Sequence, residues 1–375
     1  MDQLSDEFPV TRHTLYFNHA AVAPWPRRTA EAVNAFCREN VERGAQNYPA
    51  WLKVEQSLRR QLSELINAPS LRSIALAKST SEALSLIANG MSWQSGDEIV
   101  ITDQEFPSNR IVWEALSGQG VKTVVADITQ ATDPEAEILA CLSPRTRLVS
   151  VSAVQYASGL RLNVGRLGDS LRHHPALFCV DAIQHLGALP FDAQACHADF
   201  VVADGHKWML GPEGLALFYV RPEIMDQVRP SEFGWHMVRH RGDYTRKTWH
   251  PADDATRYEC GSPNMLGIHA LNASLSLLLE TGMAQVGRML TDRMNHLADA
   301  LNSMRHVEFL TDTRPERMAG ILTFRMKNKV LEAVHENLSE HGVVCALRGG
   351  GIRLSPHFYT PENQIDELIR LIAAA

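Results

Sequence analysis

The sequence predicts an α/β protein: a large domain built on a seven-stranded, mostly parallel sheet, followed by a smaller α+β domain at the carboxy terminus. Two observations carry the prediction. Between residues 73 and 220, short runs rich in Val, Ile and Ala alternate with amphipathic stretches, and after residue 262 the pattern becomes mainly helical. Runs that are apolar at nearly every position suit strands covered on both faces, the condition of parallel strands lying between helical layers.

The runs, in order, are SIALA (73–77), EIVIT (98–102), VKTVVA (121–126), RLVSVS (147–152), ALFCVD (176–181), DFVVAD (199–204) and GLALFYV (214–220). Helix starts support them. Asp133-Pro134-Glu135 offers a capping carboxylate, a proline at the first helical position and an acid in the first turn. Thr360-Pro361-Glu362 is expected to do the same, with a capping hydroxyl, for the last helix. Leu271, Leu275 and Leu278, then Val286, Leu290, Met294, Leu297 and Leu301, recur at helical spacing and are expected to face the core. The change of pattern places a domain division near residue 250, with residues 16–250 as the large domain and 251–375, joined by residues 1–15, as the small one.

The length of 375 residues, at 45% hydrophobic and 21% charged, suits two domains sharing a large core. A net charge of −7 with no basic stripe argues against nucleic acid and anionic membranes as partners. No segment approaches the run of about 18 apolar residues that a membrane span needs. The amino terminus, MDQLSDEFPV, is acidic and lacks an apolar signal core, so the chain is expected to be cytoplasmic. Six cysteines, Cys37, Cys141, Cys179, Cys196, Cys260 and Cys345, are scattered with no CxxC, which suits reduced thiols better than a disulfide frame or a zinc site. No metal is expected, and small molecules are the expected ligands.

Four places at strand ends concentrate polar chemistry where open α/β sheets bind ligands. Lys78-Ser79-Thr80-Ser81-Glu82 puts three hydroxyls and free N–H groups at a helix start, a phosphate site or, taken alone, an ordinary capping box. Asp181 ends an apolar strand three residues before Gln184. It is either a cap of the next turn or a carboxylate in need of a cationic partner. Asp204-Gly205-His206-Lys207-Trp208 sets a lysine in an apolar loop, where desolvation lowers its pKa and suits it to Schiff-base formation. Arg348-Gly349-Gly350-Gly351-Ile352-Arg353 is a glycine turn leading into a strand whose arginine is either a carboxylate receptor or a salt-bridged surface group.

With Tyr16-Phe17-Asn18-His19-Ala20-Ala21, Glu105-Phe106 and Arg257-Tyr258-Glu259-Cys260-Gly261-Ser262-Pro263-Asn264, these elements span nearly the whole chain. In this order and spacing they resemble the class V aminotransferase family, the branch of fold-type I pyridoxal phosphate (PLP) enzymes that includes cysteine desulfurases, kynureninases and isopenicillin N epimerase-like proteins. The Asp181-x-x-Gln184 strand end followed by His206-Lys207 is the most specific part. The resemblance implies that Lys207 carries PLP as a Schiff base and shuttles the α-proton, that Asp181 pairs with the pyridine nitrogen and that Gln184 bonds the ring hydroxyl. It implies that Thr80, Ser81 and His206 hold the phosphate and that Phe106 stacks on the ring where desulfurases carry a histidine. It further implies a homodimer in which Ser262 reaches the neighbouring subunit's phosphate. Arg353 would grip the carboxylate of an amino-acid substrate, with His19, Gln155 and Tyr156 lining the same pocket.

The implied activity is at the α-carbon of an amino acid, with amino-group transfer ranked first because no nucleophilic cysteine is evident. Desulfurases place one on a mobile loop before the carboxylate arginine or in an Arg-x-Gly-x-x-Cys pattern, and this chain has neither. Cys345 lies in the apolar run 342–347, expected to be a strand, where cysteine behaves as a small core residue. The alternatives are a cysteine desulfurase-like enzyme or sulfur-amino-acid β-lyase, an amino-acid epimerase and, outside catalysis, a binding or regulatory protein that kept the scaffold. A nucleotide-binding enzyme would need a glycine-rich phosphate loop after the first strand, which is missing here. Asp204 stands where many relatives carry a serine, and its charge would repel a phosphate unless turned away or protonated.

Overall fold

A computed structural model of the protein describes residues 2–375; Met1, where the acidic amino-terminal stretch begins, lies outside the described residues. Each of the seven apolar runs forms a strand. Together they make one sheet in the order Ile74–Ala77, Ala216–Val220, Phe200–Asp204, Leu177–Asp181, Thr146–Ser152, Glu98–Thr102, Lys122–Ala126. All neighbours run parallel except Ala216–Val220, which is antiparallel to both of its partners. The reason is local: no helix intervenes between Asp204 and Ala216, and a parallel return requires a crossover. Glu98–Thr102, Phe200–Asp204 and Ala216–Val220 are buried at every position, while the edge strand Lys122–Ala126 exposes Lys122 and Val125. Because the other strands share one direction, Ala77, Thr102, Ser152, Asp181 and Asp204 all end at the same edge of the sheet, and the loops that follow them converge there.

A second, four-stranded antiparallel sheet has the order Ala346–Arg348, Gly351–Leu354, Leu322–Met326, Val307–Phe309. Gly349 and Gly350, with φ of 57° and 77°, make the two-residue turn between its first two strands, a conformation that glycine adopts without strain. The apolar run 342–347 is not the single strand expected of it. Val343–Val344 pairs in parallel with Leu15–Tyr16, Ala346–Arg348 joins the antiparallel sheet, and Cys345 marks the switch between the two. Phe8 stacks on Tyr359 at 3.4 Å, and Gln364 Nε2 donates to the Thr11 carbonyl at 2.6 Å, which ties the amino-terminal residues to the carboxy-terminal elements.

Asp133 caps Pro134–Ala140 by accepting the Ala136 N–H, as its spacing predicts. Thr360 does not cap the last helix, Glu362–Ala374. Its hydroxyl is taken by the His357 N–H at 2.9 Å, closing the preceding turn instead. The helical leucine stripe is buried in Met265–Thr281 and Met283–Asn302, the first of which packs on Arg27–Arg43 and Tyr48–Leu65. Buried Arg59 bonds both Glu55 and Glu259 at 2.6–2.7 Å, and Glu259 also accepts the Leu76 N–H. The 257–264 segment is thereby pinned to the first sheet strand. Glu55, His236 and Glu259 cluster closely enough to suggest metal ligands, but the Arg59 guanidinium already supplies the cation between the two carboxylates. No helix among the described residues is long and apolar enough to cross a membrane.

Candidate active site

A cavity of about 350 Å³ opens where the strand ends converge. Of the residues singled out from sequence, Thr80, Ser81, Phe106, Tyr156, Asp181, Gln184, His206, Lys207 and Arg353 line it, and Ser108, Ser152, Asp204, Glu213 and Arg348 join them. His19 and Gln155 lie behind the wall, and Ser262 is exposed away from it.

Lys207 follows the strand Phe200–Asp204 and is 9% exposed. Burial pulls its ammonium pKa down against the opposing pull of Asp181 and Asp204, and nearby Arg353 pushes the same way as burial. Its Nζ lies 5.7 Å from the centre of the Phe106 ring. Asp181 caps the next turn by accepting the Ile183 N–H at 3.1 Å, so the capping role coexists with exposure to the cavity. Burial, with the neighbouring Glu105, raises its carboxyl above the ordinary range, and the Ile183 N–H and Lys207 only partly oppose this. Gln184 donates to the Ala20 carbonyl at 3.0 Å and accepts the Trp208 indole N–H at 2.8 Å, which orients its amide and leaves one N–H free.

The Lys78–Glu82 run forms the capping box: Ser79 accepts the Glu82 N–H, and the Glu82 carboxylate accepts the Lys78 N–H. Thr80 is engaged differently. Its N–H donates to the Asp204 carboxylate at 2.9 Å, and its hydroxyl accepts the Asp204 N–H at 3.0 Å. The Asp204 charge is thus turned onto a helix amino terminus. Ser81 and Ser108 hydroxyls meet at 2.7 Å, and His206 Nδ1 is buried with no hydrogen-bond partner, 3.7 Å from Asp204.

Arg353 donates to the Tyr156 carbonyl at 2.8 Å, while its Nε is buried without a partner; burial, then Arg348, lowers its pKa to about 10. His19 spends both ring nitrogens, on the Ser355 carbonyl at 2.8 Å and the Tyr359 hydroxyl at 2.6 Å. Gln155 donates to Thr102 and Glu105, both at 3.2 Å. Glu105 is buried beneath the site and also accepts from Ser152 and Asn109. Its sequence signal was only its place in the Glu105-Phe106 element, and Ser108 had none beyond following the same strand. Among the described residues no cysteine lines the cavity, and burial raises the Cys345 thiol to about 12.

The lining fits PLP. A buried carboxylate with a single N–H partner suits a protonated pyridine nitrogen, an orphaned histidine nitrogen and two serine hydroxyls suit a phosphate, and a partly desolvated lysine suits the aldehyde. Fold and site together define a PLP-dependent enzyme of fold type I. The class-V aminotransferase model matches residues 15–368, and the chain belongs to that family.

Among its relatives, a probable cysteine desulfurase of Methanothermobacter thermautotrophicus is 28% identical over 96% of this chain and 94% of its own length. A cysteine desulfurase of Pectobacterium carotovorum is 28% identical over 94% of this chain and 91% of its own. The cystine C–S lyase C-DES in complex with its reaction product cysteine persulfide superposes with a TM-score of 0.90 at 26% identity, covering 98% and 99% of the two chains. The apo cysteine desulfurase of Thermococcus onnurineus has a TM-score of 0.88 at 22% identity over 100% of this chain and 97% of that one, a likeness of fold. These names favour the sulfur-directed alternative over amino-group transfer, which ranked first from sequence.

Proposed function

We propose that the protein is a PLP-dependent β-lyase of sulfur amino acids that cleaves the Cβ–Sγ bond of a cystine-type substrate without a thiol of its own. One observation carries this reading within the family: among the described residues no cysteine lines the cavity, and Cys345 is a buried core thiol whose pKa burial raises. When bound, PLP supplies the electron sink that acidifies the α-carbon and lets the β-substituent leave. Lys207 Nζ holds the cofactor aldehyde and then takes the α-proton, for which its lowered pKa suits it. Asp181 keeps the pyridine nitrogen protonated, and the remaining Gln184 N–H meets the ring hydroxyl. Phe106 covers the ring, while the Thr80 and Ser81 hydroxyls and His206 hold the phosphate. Arg353 takes the substrate carboxylate beside Tyr156. His19 and Gln155 support that wall from behind, through Tyr359 and Glu105.

The products distinguish the reading. L-Cystine plus water is expected to yield pyruvate, ammonia and cysteine persulfide in equal amounts, measured by coupled dehydrogenase assay and thiol trapping. A desulfurase would instead convert L-cysteine to alanine, with sulfur passing to a protein thiol. Alanine formation lost in Cys345→Ser would overturn the lyase reading.

We further infer a homodimer in which Ser262 reaches the partner's phosphate site. Phe233, Trp235, Tyr244 and Trp249 are all exposed around a cavity of about 440 Å³, an apolar patch of the kind that a second copy covers. Sedimentation equilibrium is expected to give twice the chain mass, and Ser262→Ala to weaken PLP binding; a monomer with undiminished affinity for PLP would refute both. Six free thiols suit a reducing compartment, and we take the protein to be cytoplasmic.

A further inference from the structure

Arg348 and Glu213 line the active-site cavity from separate segments, yet the roles above use neither. Arg348 belongs to the hairpin that carries Arg353. The register sets Arg348 opposite Gly351 and Ala346 opposite Arg353, so both arginines stand on one face of the hairpin. The Gly349-Gly350 turn keeps the connection between their strands to two residues.

Arg348 makes no ion pair among the described residues; its Nη1 donates at 3.1 Å only to the carbonyl of Leu347, its own neighbour. Glu213, from the loop after Lys207, is exposed at the cavity and makes no hydrogen bond or ion pair among the described residues. Two opposite charges thus face one cavity without closing on each other. An α-amino acid head group carries the complementary pair, a carboxylate and an ammonium held a fixed distance apart.

We propose that Arg348 and Glu213 form the subsite for the leaving half of the substrate, Arg348 taking its distal carboxylate and Glu213 its distal ammonium. The substrate class is then a disulfide of two amino acids, L-cystine, rather than a cysteine conjugate with an uncharged leaving group. The inference rests on the lyase reading.

The test uses the holoenzyme and three substrates that share the reacting half. These are L-cystine, the mixed disulfide of cysteine with cysteamine, which lacks the distal carboxylate, and the mixed disulfide with 3-mercaptopropionate, which lacks the distal ammonium. Each charge-assisted contact is expected to favour cystine by roughly tenfold or more in kcat/KM for pyruvate release. Arg348→Met is expected to collapse the preference over the cysteamine disulfide while keeping the preference over the mercaptopropionate disulfide. Glu213→Gln is expected to do the reverse. Equal kcat/KM for all three substrates in the native enzyme, or preferences that survive both substitutions, would overturn the subsite. If β-chloroalanine as well as the disulfides gives no pyruvate with native enzyme, the lyase reading itself fails. Pyruvate from β-chloroalanine without a preference for cystine refutes the subsite alone.

Discussion

Lys207→Ala holoenzyme is expected to lose the visible absorption band of the bound cofactor and to fall by about 10³- to 10⁴-fold or more in kcat/KM, because in the proposed reaction one Nζ would both anchor the cofactor aldehyde and move the α-proton. Lys207→Arg separates charge from chemistry. It retains a cation beside Asp181 but offers a guanidinium that does not deprotonate, so the same loss is expected. An absorption titration with PLP followed by a pyruvate assay decides the matter. A Lys207→Ala enzyme that keeps the band and turns over at the native rate would place the cofactor on another group.

Asp181→Asn is expected to have opposite effects on the two forms of the protein. In the holoenzyme it would remove the proposed charge-assisted hydrogen bond to the pyridine nitrogen and is expected to weaken PLP binding by about 10- to 100-fold, the equivalent of about 1.5–3 kcal/mol. In the apoprotein the carboxylate is a liability. Burial and Glu105 hold its pKa above the unfolded value, so the folded chain binds the proton more readily than the unfolded one. Its contribution to stability is therefore fully present below the ordinary carboxylate pKa and is lost as pH rises through the raised one. Apo Asp181→Asn is expected to melt at a higher temperature than native apoprotein near neutral pH, with the gap closing toward pH values below about 4. Thermal melts of both forms across that range test it; an asparagine variant less stable as apoprotein at neutral pH would show that Asp181 is already paired without the cofactor.

The two expectations differ in how far sequence anticipates them. Seven apolar runs became seven strands of one sheet because a strand buried on both faces must be apolar at successive positions, a pattern carried in the chain itself. The same logic placed Asp181 and Asp204 at strand ends, with Lys207 in the loop just beyond Asp204, since a charged residue that closes an apolar run has only the sheet's edge to occupy. Thr360 shows the limit. Its spacing suited a cap, but in the folded turn the His357 N–H donates to its hydroxyl at 2.9 Å instead. His19 likewise matched the pocket motif and lies behind the wall, because Ser355 and Tyr359, far along the chain, claim both ring nitrogens.

By itself, the sequence determined the order of strands and helices and the polar residues at the strand ends. Each of these depends on local periodicity or on the residue at the end of a run. Tertiary structure alone decided that Asp204 turns onto Thr80, that Cys345 is buried at a switch between sheets, and that Arg348 and Glu213 face one cavity. These are questions of which hydrogen-bond donors, acceptors and charges come within reach of one another. Reach between residues far apart in the chain is set by packing, which short-range pattern does not encode.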